Sequence, residues 1–338
     1  MKIRNIILGG GLLLATAMGC AKFVSTSSNE QSLMYIEAWL GQNHPDARKS
    51  GNGIYILSET PGTGEAYDGE DYIMIRYTIS TMDGTIQSTN DVQLSQQIGT
   101  YDPTANYEDR VWYTEGTSIQ VGLEDLITGM RKGGTRKALI PGWLMVSERQ
   151  KNPEAYFEQT ENIGNTAIYE ITITDFTDKI VQWEIDRIED FNLRYFGEKV
   201  DSTSYGYYYK QLKAPTSDKA YSNTDYFYVN YTGRLLNGQV FDTTIRDTAK
   251  KYNLYNASKT YEPVKIQLAE QDSDIQMTVD GNAGSVIAGV QKIVKQLKPY
   301  ERGVGVFISN FGYGTSSSGS INAFTPLAFD IEVTDKPE

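Results

Sequence analysis

The chain has 338 residues, 31 Lys and Arg against 43 Asp and Glu, a formal charge of −12, one cysteine and one histidine. An acidic chain without a basic stripe argues against nucleic acid and against an electrostatic membrane patch. With His44 the only histidine, lying in a polar stretch before Pro45, there is no Ser-His or Cys-His machinery, and one cysteine makes no intramolecular disulfide. The length exceeds what one core usually serves, so two domains are expected.

Residues 1–20 read as an export leader. Lys2 and Arg4 precede an apolar run from Ile6 to Ala17 that is too short to span a bilayer comfortably, and Ala17-Met18-Gly19 sets small residues just before Cys20. This order resembles a bacterial lipoprotein signal. The resemblance implies that Cys20 is lipidated and anchors the exported protein to a bacterial membrane, at its periplasmic or cell-surface face. Several acyl chains on one residue would hold it stably. The small, polar stretch 21–31 suits a tether.

Beyond the tether the chain repeats itself. A helix is predicted from about Ser32 to Gly41, with Leu33, Ile36 and Leu40 on one face, and another from about Lys179 to Phe196, with Val181, Ile185, Ile188 and Tyr195 on one face. Gly53-Ile54-Tyr55-Ile56-Leu57 and the strand Glu70 to Thr78 follow the first helix. Gly206-Tyr207-Tyr208-Tyr209-Lys210 and the strand Thr224 to Thr232 follow the second. Each unit then shows a hairpin, a long loop, a short helix opened by glycine (Gly122 to Met130, and Ala288 to Leu297) and a returning strand (Gly133 to Pro141, and Gly303 to Ile308). Two copies of one unit account for the length.

The second unit is the more informative. From Tyr226 to Asp242 an alternating strand puts Tyr226, Tyr228 and Asn230 on one face and Phe227, Val229 and Tyr231 on the other. It turns at Asn237-Gly238 and re-enters a strand that delivers Phe241-Asp242. A Gly- and Ser-rich loop carrying Tyr313 leads into the closing strand Leu327 to Val333. Tyr231-Thr232-Gly233, Phe241-Asp242, Val286-Ile287, Gly312-Tyr313-Gly314 and that strand, in this order, resemble the FKBP-type peptidyl-prolyl isomerases.

The resemblance implies an α+β fold: two FKBP-like domains, each a curved antiparallel sheet wrapped around a short helix, over 32–175 and 176–338, each with its leading helix. It implies an apolar cleft for proline-containing polypeptides. Tyr231, Phe241, Val286, Ile287, Ile321 and Phe329 fall on wall positions, Asp242 at the cleft edge, and Tyr313 on the loop tyrosine whose hydroxyl meets a ligand carbonyl. The backbone N–H of Ile287 is expected to do the same. Asp242 and Tyr313 are thus the expected catalytic groups. Two positions depart from the family: Val290 stands for the tryptophan floor and Val264 for a wall aromatic. The segments Thr243 to Pro263 and Gln267 to Ser285 are longer than usual.

The first unit departs further. Tyr77 is kept, but Gln87-Ser88 replaces Phe-Asp, Gln120 the isoleucine, Leu123 the floor tryptophan and Tyr169 the final phenylalanine, so this copy is expected to be non-catalytic. The expected function is a lipid-anchored isomerase and folding helper acting through its second unit. The alternative is a non-catalytic binding or scaffold lipoprotein on the same fold. No metal or cofactor is expected. Asp272, Asp274 and Asp280 lack the glycine and closing glutamate of a calcium loop, and Thr315 to Ser320 lacks the lysine and following helix of a phosphate loop.

Overall fold

The computed structural model describes residues 27–116, 118–158 and 164–337; the leader, Cys20 and most of the tether lie outside the described residues. The first unit runs α1 (Ser28–Asn43), β1 (Arg48–Ser50), β2 (Ile54–Thr60), β3 (Tyr72–Ser80), β4 (Ile86–Thr89), α2 (Val92–Gln97), β5 (Arg110–Tyr113), α3 (Val121–Ile127), β6 (Thr135–Ile140), α4 (Pro153–Phe157) and β7 (Ala167–Thr177). The second runs α5 (Ile180–Phe196), β8 (Ser202–Ser204), β9 (Tyr207–Lys213), β10 (Tyr226–Leu235), β11 (Val240–Thr243), α6 (Arg246–Lys251), β12 (Val264–Gln267), β13 (Gln276–Val279), β14 (Asn282–Ser285), α7 (Ala288–Gln296), β15 (Arg302–Phe307) and β16 (Leu327–Thr334).

Each unit is one antiparallel sheet curled around its short helix, the expected α+β architecture. The first sheet is ordered β1-β2-β6-β7-β3-β4, with β5 also paired to β3. The second repeats that order as β8-β9-β15-β16-β10, with β11 and β12 both paired to β10, and extends it by the hairpin β13–β14. The duplication read from sequence is therefore a duplication of topology. The predicted faces of β10 also hold, since Phe227, Val229 and Tyr231 are buried whereas Tyr226 is exposed.

Two leading helices cover the sheets. α1 starts earlier than its apolar periodicity suggests, at Ser28, because Ser27 and Glu30 form a reciprocal capping box. Ile36 and Leu40 are buried in the first core, with Leu33 packed against it. On α5 the buried stripe is Ile185, Ile188 and Phe191, which packs with Tyr208, Val304, Val306 and Ala328 on the outer face of the second sheet. Tyr195, expected on that stripe, is instead exposed, because the helix turns it past the sheet and stacks it on Phe191 at 5.1 Å. Gly197 ends the helix at φ 76°, a left-handed cap that suits glycine.

The long segments after β4 and β11 are not plain loops. Each carries a short helix, α2 or α6, and the segment after β12 folds into β13–β14. Among the described residues no helix is long and apolar enough to cross a membrane.

Candidate active site

The expected wall residues of the second unit gather where β10, β11 and β16 face α7. Gly233 is what lets its aromatic wall assemble. A Cβ there would meet the Phe241 ring at 2.5 Å and Phe329 at 3.2 Å, so the strand must be bare for Phe241 to lie across it. Phe241 then packs edge-on against Phe329 at 5.6 Å, and Tyr231 lies 6.2 Å from the same ring. Ile321, Val264 and Val290 are buried in this core, whereas Phe241, Val286, Ile287 and Tyr313 are half-buried around it. The structure thus brings all the sequence-predicted wall residues into one cluster, with Val264 supplied by β12 opposite Val229.

The floor shows what the sequence did not reveal. Val290 is buried on the inner face of α7 and is smaller than an indole, and it shares its core cluster with Phe307. Its ring is fully buried, lies against Gly289, where a Cβ would come within 2.3 Å, and stacks on Phe329 at 6.0 Å with planes 7° apart. Phe307 looked like an ordinary strand residue. The signal that could have exposed it is Gly289 at the start of the helix, a gap that only a neighbouring large ring would fill.

Asp242 is half-exposed and held by three partners. Tyr231 donates its hydroxyl to one carboxylate oxygen at 2.5 Å, and the Thr243 N–H donates to the other at 2.9 Å. Lys259, from the loop after α6, forms a short ion pair with that second oxygen. Burial and the neighbouring Asp242 raise the Tyr231 phenol far above its ordinary value, so it stays a donor. Lys259 was not anticipated, because it stands 17 residues from Asp242 and no local pattern links them.

Tyr313 sits on a loop braced at both ends. Gly314 donates to Ser309 at 2.8 Å and accepts from Phe324 at 2.8 Å. Ser309 is in turn held by the buried Glu184 of α5, which accepts its N–H and hydroxyl. Ile287 caps α7 in extended conformation (φ −63°, ψ 151°), and Gln291 returns a hydrogen bond to Val286 O at 2.7 Å. The arrangement offers an aromatic wall, a buried floor, a neutral phenol and a neutralised carboxylate. It holds no nucleophile poised for covalent chemistry.

The equivalent place in the first unit is altered. Tyr77 faces Ser88 at 3.3 Å where Tyr231 faces Asp242. Gln120 caps α3, and Leu123 and Tyr169 are buried in the core. Gln120, Leu123 and Trp112 line a cavity of about 310 Å³ with Thr315, Asn322 and Phe324 of the second unit.

Residues 217–334 match the family model of FKBP-type peptidyl-prolyl cis-trans isomerases. The second unit belongs to that family, whose activity is the cis-trans isomerisation of peptidyl-prolyl bonds, and the first unit repeats its strand order. No curated protein matches the chain. Among solved structures, the three FKBP domains of wheat FKBP73 are 14% identical, with 86% of this chain and 98% of that chain covered and a TM-score of 0.30. A peptidyl-prolyl isomerase from Pseudomonas syringae pv. tomato is 20% identical (46% and 92% covered, TM-score 0.32), and FkpA from Escherichia coli is 22% identical (46% and 62%, TM-score 0.31). These likenesses are distant, and the family assignment rests on the match over 217–334.

Proposed function

We propose that the second unit catalyses cis-trans exchange at prolyl bonds of exported polypeptides, and that the protein is a lipid-anchored folding helper. The observation that carries this reading is the Phe241–Phe329–Tyr231 wall, made possible by Gly233 and closed below by Phe307 and Val290. Rotation about a peptide C–N bond has a barrier of about 18–20 kcal/mol, owed to amide resonance. The twisted transition state has lost that resonance and its polarity, so a water-poor, apolar box that fits the twisted form better than the planar one lowers the barrier without any covalent step. In this reading Tyr313 and the Ile287 N–H hold flanking carbonyls, and Asp242 acts through Tyr231, from whose hydroxyl it accepts a hydrogen bond.

The first unit carries Gln87-Ser88 in place of Phe-Asp and Gln120 in place of the isoleucine, and is assigned a non-catalytic role. The order Ala17-Met18-Gly19-Cys20 after an apolar run supports the lipid anchor. The deciding measurement is NMR exchange spectroscopy on a short peptide with an apolar residue before proline. Faster exchange with the full chain is expected. A folded protein that leaves the exchange at the rate of free peptide would favour a binding module instead, a reading that the Lys259–Asp242 pair supports by removing a free charge from the rim.

A further inference from the structure

The loops after α2 and α6 are built alike, although their sequences differ. Tyr101 stacks on Tyr107 at 5.6 Å with planes 17° apart, and Tyr255 stacks on Tyr261 at 5.5 Å and 18°. In the first loop the Asp102 N–H donates to the Tyr107 hydroxyl at 3.0 Å, and Asp102 accepts from the Thr104 N–H at 2.8 Å. In the second, the Asn256 N–H donates to Tyr261 at 2.9 Å, and Asn256 accepts from the Ser258 N–H at 2.9 Å. Each is a small clasp closed by two tyrosines.

The first clasp is occupied. Gln239, in the β10–β11 turn of the second unit, extends its side-chain amide to the carbonyls of Ala105 at 2.9 Å and Pro103 at 3.4 Å. The corresponding carbonyls of the second clasp belong to Ala257 and Lys259. Neither accepts a hydrogen bond among the described residues. The second clasp also adjoins the cleft, because Lys259 reaches Asp242, and Tyr255 is exposed.

We propose that the second clasp, Tyr255 to Tyr261, is a polypeptide-binding site beside the prolyl cleft, which takes a side-chain amide (Gln or Asn) of the bound client as the first clasp takes Gln239. The proposal rests on the isomerase reading for the identity of the client, and it makes the enzyme selective for proline segments with an amide residue nearby. Lys250 and Lys259, lying 5.5 Å and 5.7 Å from the centroids of Tyr255 and Tyr261, disfavour a basic residue there. Two backbone carbonyls favour a donor, so Gln is bound better than the isosteric Glu.

The test measures binding to the full chain by isothermal calorimetry, with peptides that carry one proline and Gln, Glu, Ala or Lys at one position within about four residues of it. Such a window is reachable at roughly 3.3–3.6 Å per extended residue. At one position at least, Gln should bind about three- to tenfold tighter than Ala, the range a neutral hydrogen bond gives, and Lys should bind weakest. Tyr255→Ala should abolish that gain while leaving the Ala peptide unchanged, and Tyr255→Phe should restore it. Equal affinity for Gln and Ala at every position overturns the proposal, as does Glu binding best, which would assign recognition to the ammonium groups. Self-association of the full chain that Tyr255→Ala abolishes also overturns it, since the occupant would then be the turn of a second copy. Exchange catalysis on the Ala peptide with no Gln effect sinks the clasp alone, whereas a wild-type chain that neither binds nor turns over any peptide sinks the isomerase reading with it.

Discussion

Glu184 on α5 accepts both the backbone N–H and the hydroxyl of Ser309, each at 2.6 Å, and so ties the helix between the units to the foot of the Tyr313 loop. Its carboxyl is pushed up to about 7 by burial, which outweighs the Ser309 hydrogen bonds and the nearby Arg187, all of which pull it down. Between an ordinary unfolded value near 4.5 and about 7, the folded state keeps a proton that the unfolded chain has released. The Glu184 contribution to stability should therefore be full below that window, fall as pH rises across it by roughly 1–3 kcal/mol, and level off above it. Denaturant melts of wild type and Glu184→Gln from pH 4 to 8 check this. An identical pH slope in both would refute the assignment to Glu184.

Phe241→Ala should slow exchange catalysis by about tenfold or more, a loss of some 1.4 kcal/mol in transition-state stabilisation, because it opens the wall above Phe329. Tyr313→Phe keeps the ring and removes one hydrogen bond, so its effect should be smaller, about 0.5–1.5 kcal/mol. Exchange spectroscopy with circular dichroism on each variant gives the comparison, and the reverse ranking would place the chemistry on the loop instead of the wall.

Restoring a tryptophan at the floor should not help this protein. Val290 is buried in a core cluster that also holds the fully buried Phe307, so Val290→Trp should overpack that core and cost about 1–3 kcal/mol. Combining it with Phe307→Ala should recover part of the loss. Thermal melts of the single and double variants decide it, and a Val290→Trp protein as stable as wild type would show that the floor has spare room.

Tyr72 of the first unit meets Phe324 of the second edge-on at 5.3 Å, and Phe324 holds φ 55°, unusual for a bulky side chain. Tyr72→Ala should loosen the loop that carries Tyr313 and Ile321. The expected readout is faster hydrogen exchange of the Phe324 amide, which donates to Gly314, by about tenfold. Unchanged exchange would mean that the first unit does not brace this loop.

Cys20→Ser should release the protein from the membrane fraction, since the apolar run from Ile6 to Ala17 is too short for a stable span. A variant that stays in the pellet after a high-salt wash would locate the anchor elsewhere.

The clustering of Tyr231, Phe241 and Phe329 around Gly233 was legible because these residues lie on strands whose alternation fixes which side each faces. The duplication was legible through the same strands. What escaped were contacts set by tertiary packing. Lys259 reaches Asp242 from a loop, Phe307 fills a gap left by a glycine on another element, and Glu184 meets Ser309 across 125 positions. The clasps were missed for a different reason. Their shared geometry rests on two tyrosines and one Asx side chain, too few residues to stand out where 24 tyrosines are scattered. Tyr195 was misplaced because helical spacing assigns a face without saying where the sheet beneath it ends.

The positions of β7 and β16 set the order in which the molecule can be made. Each is a central strand, β7 between β6 and β3, and β16 between β15 and β10. The first sheet has all its strands once Thr177 has emerged, but the second lacks its middle until the chain is synthesised to Thr334. The second unit must therefore wait, unpaired, until Thr334 has been added, beside a neighbour that is already closed. A ribosome stalled or a protease acting anywhere between Leu327 and Thr334 leaves a folded first unit joined to an open sheet edge, a form prone to pairing with other chains.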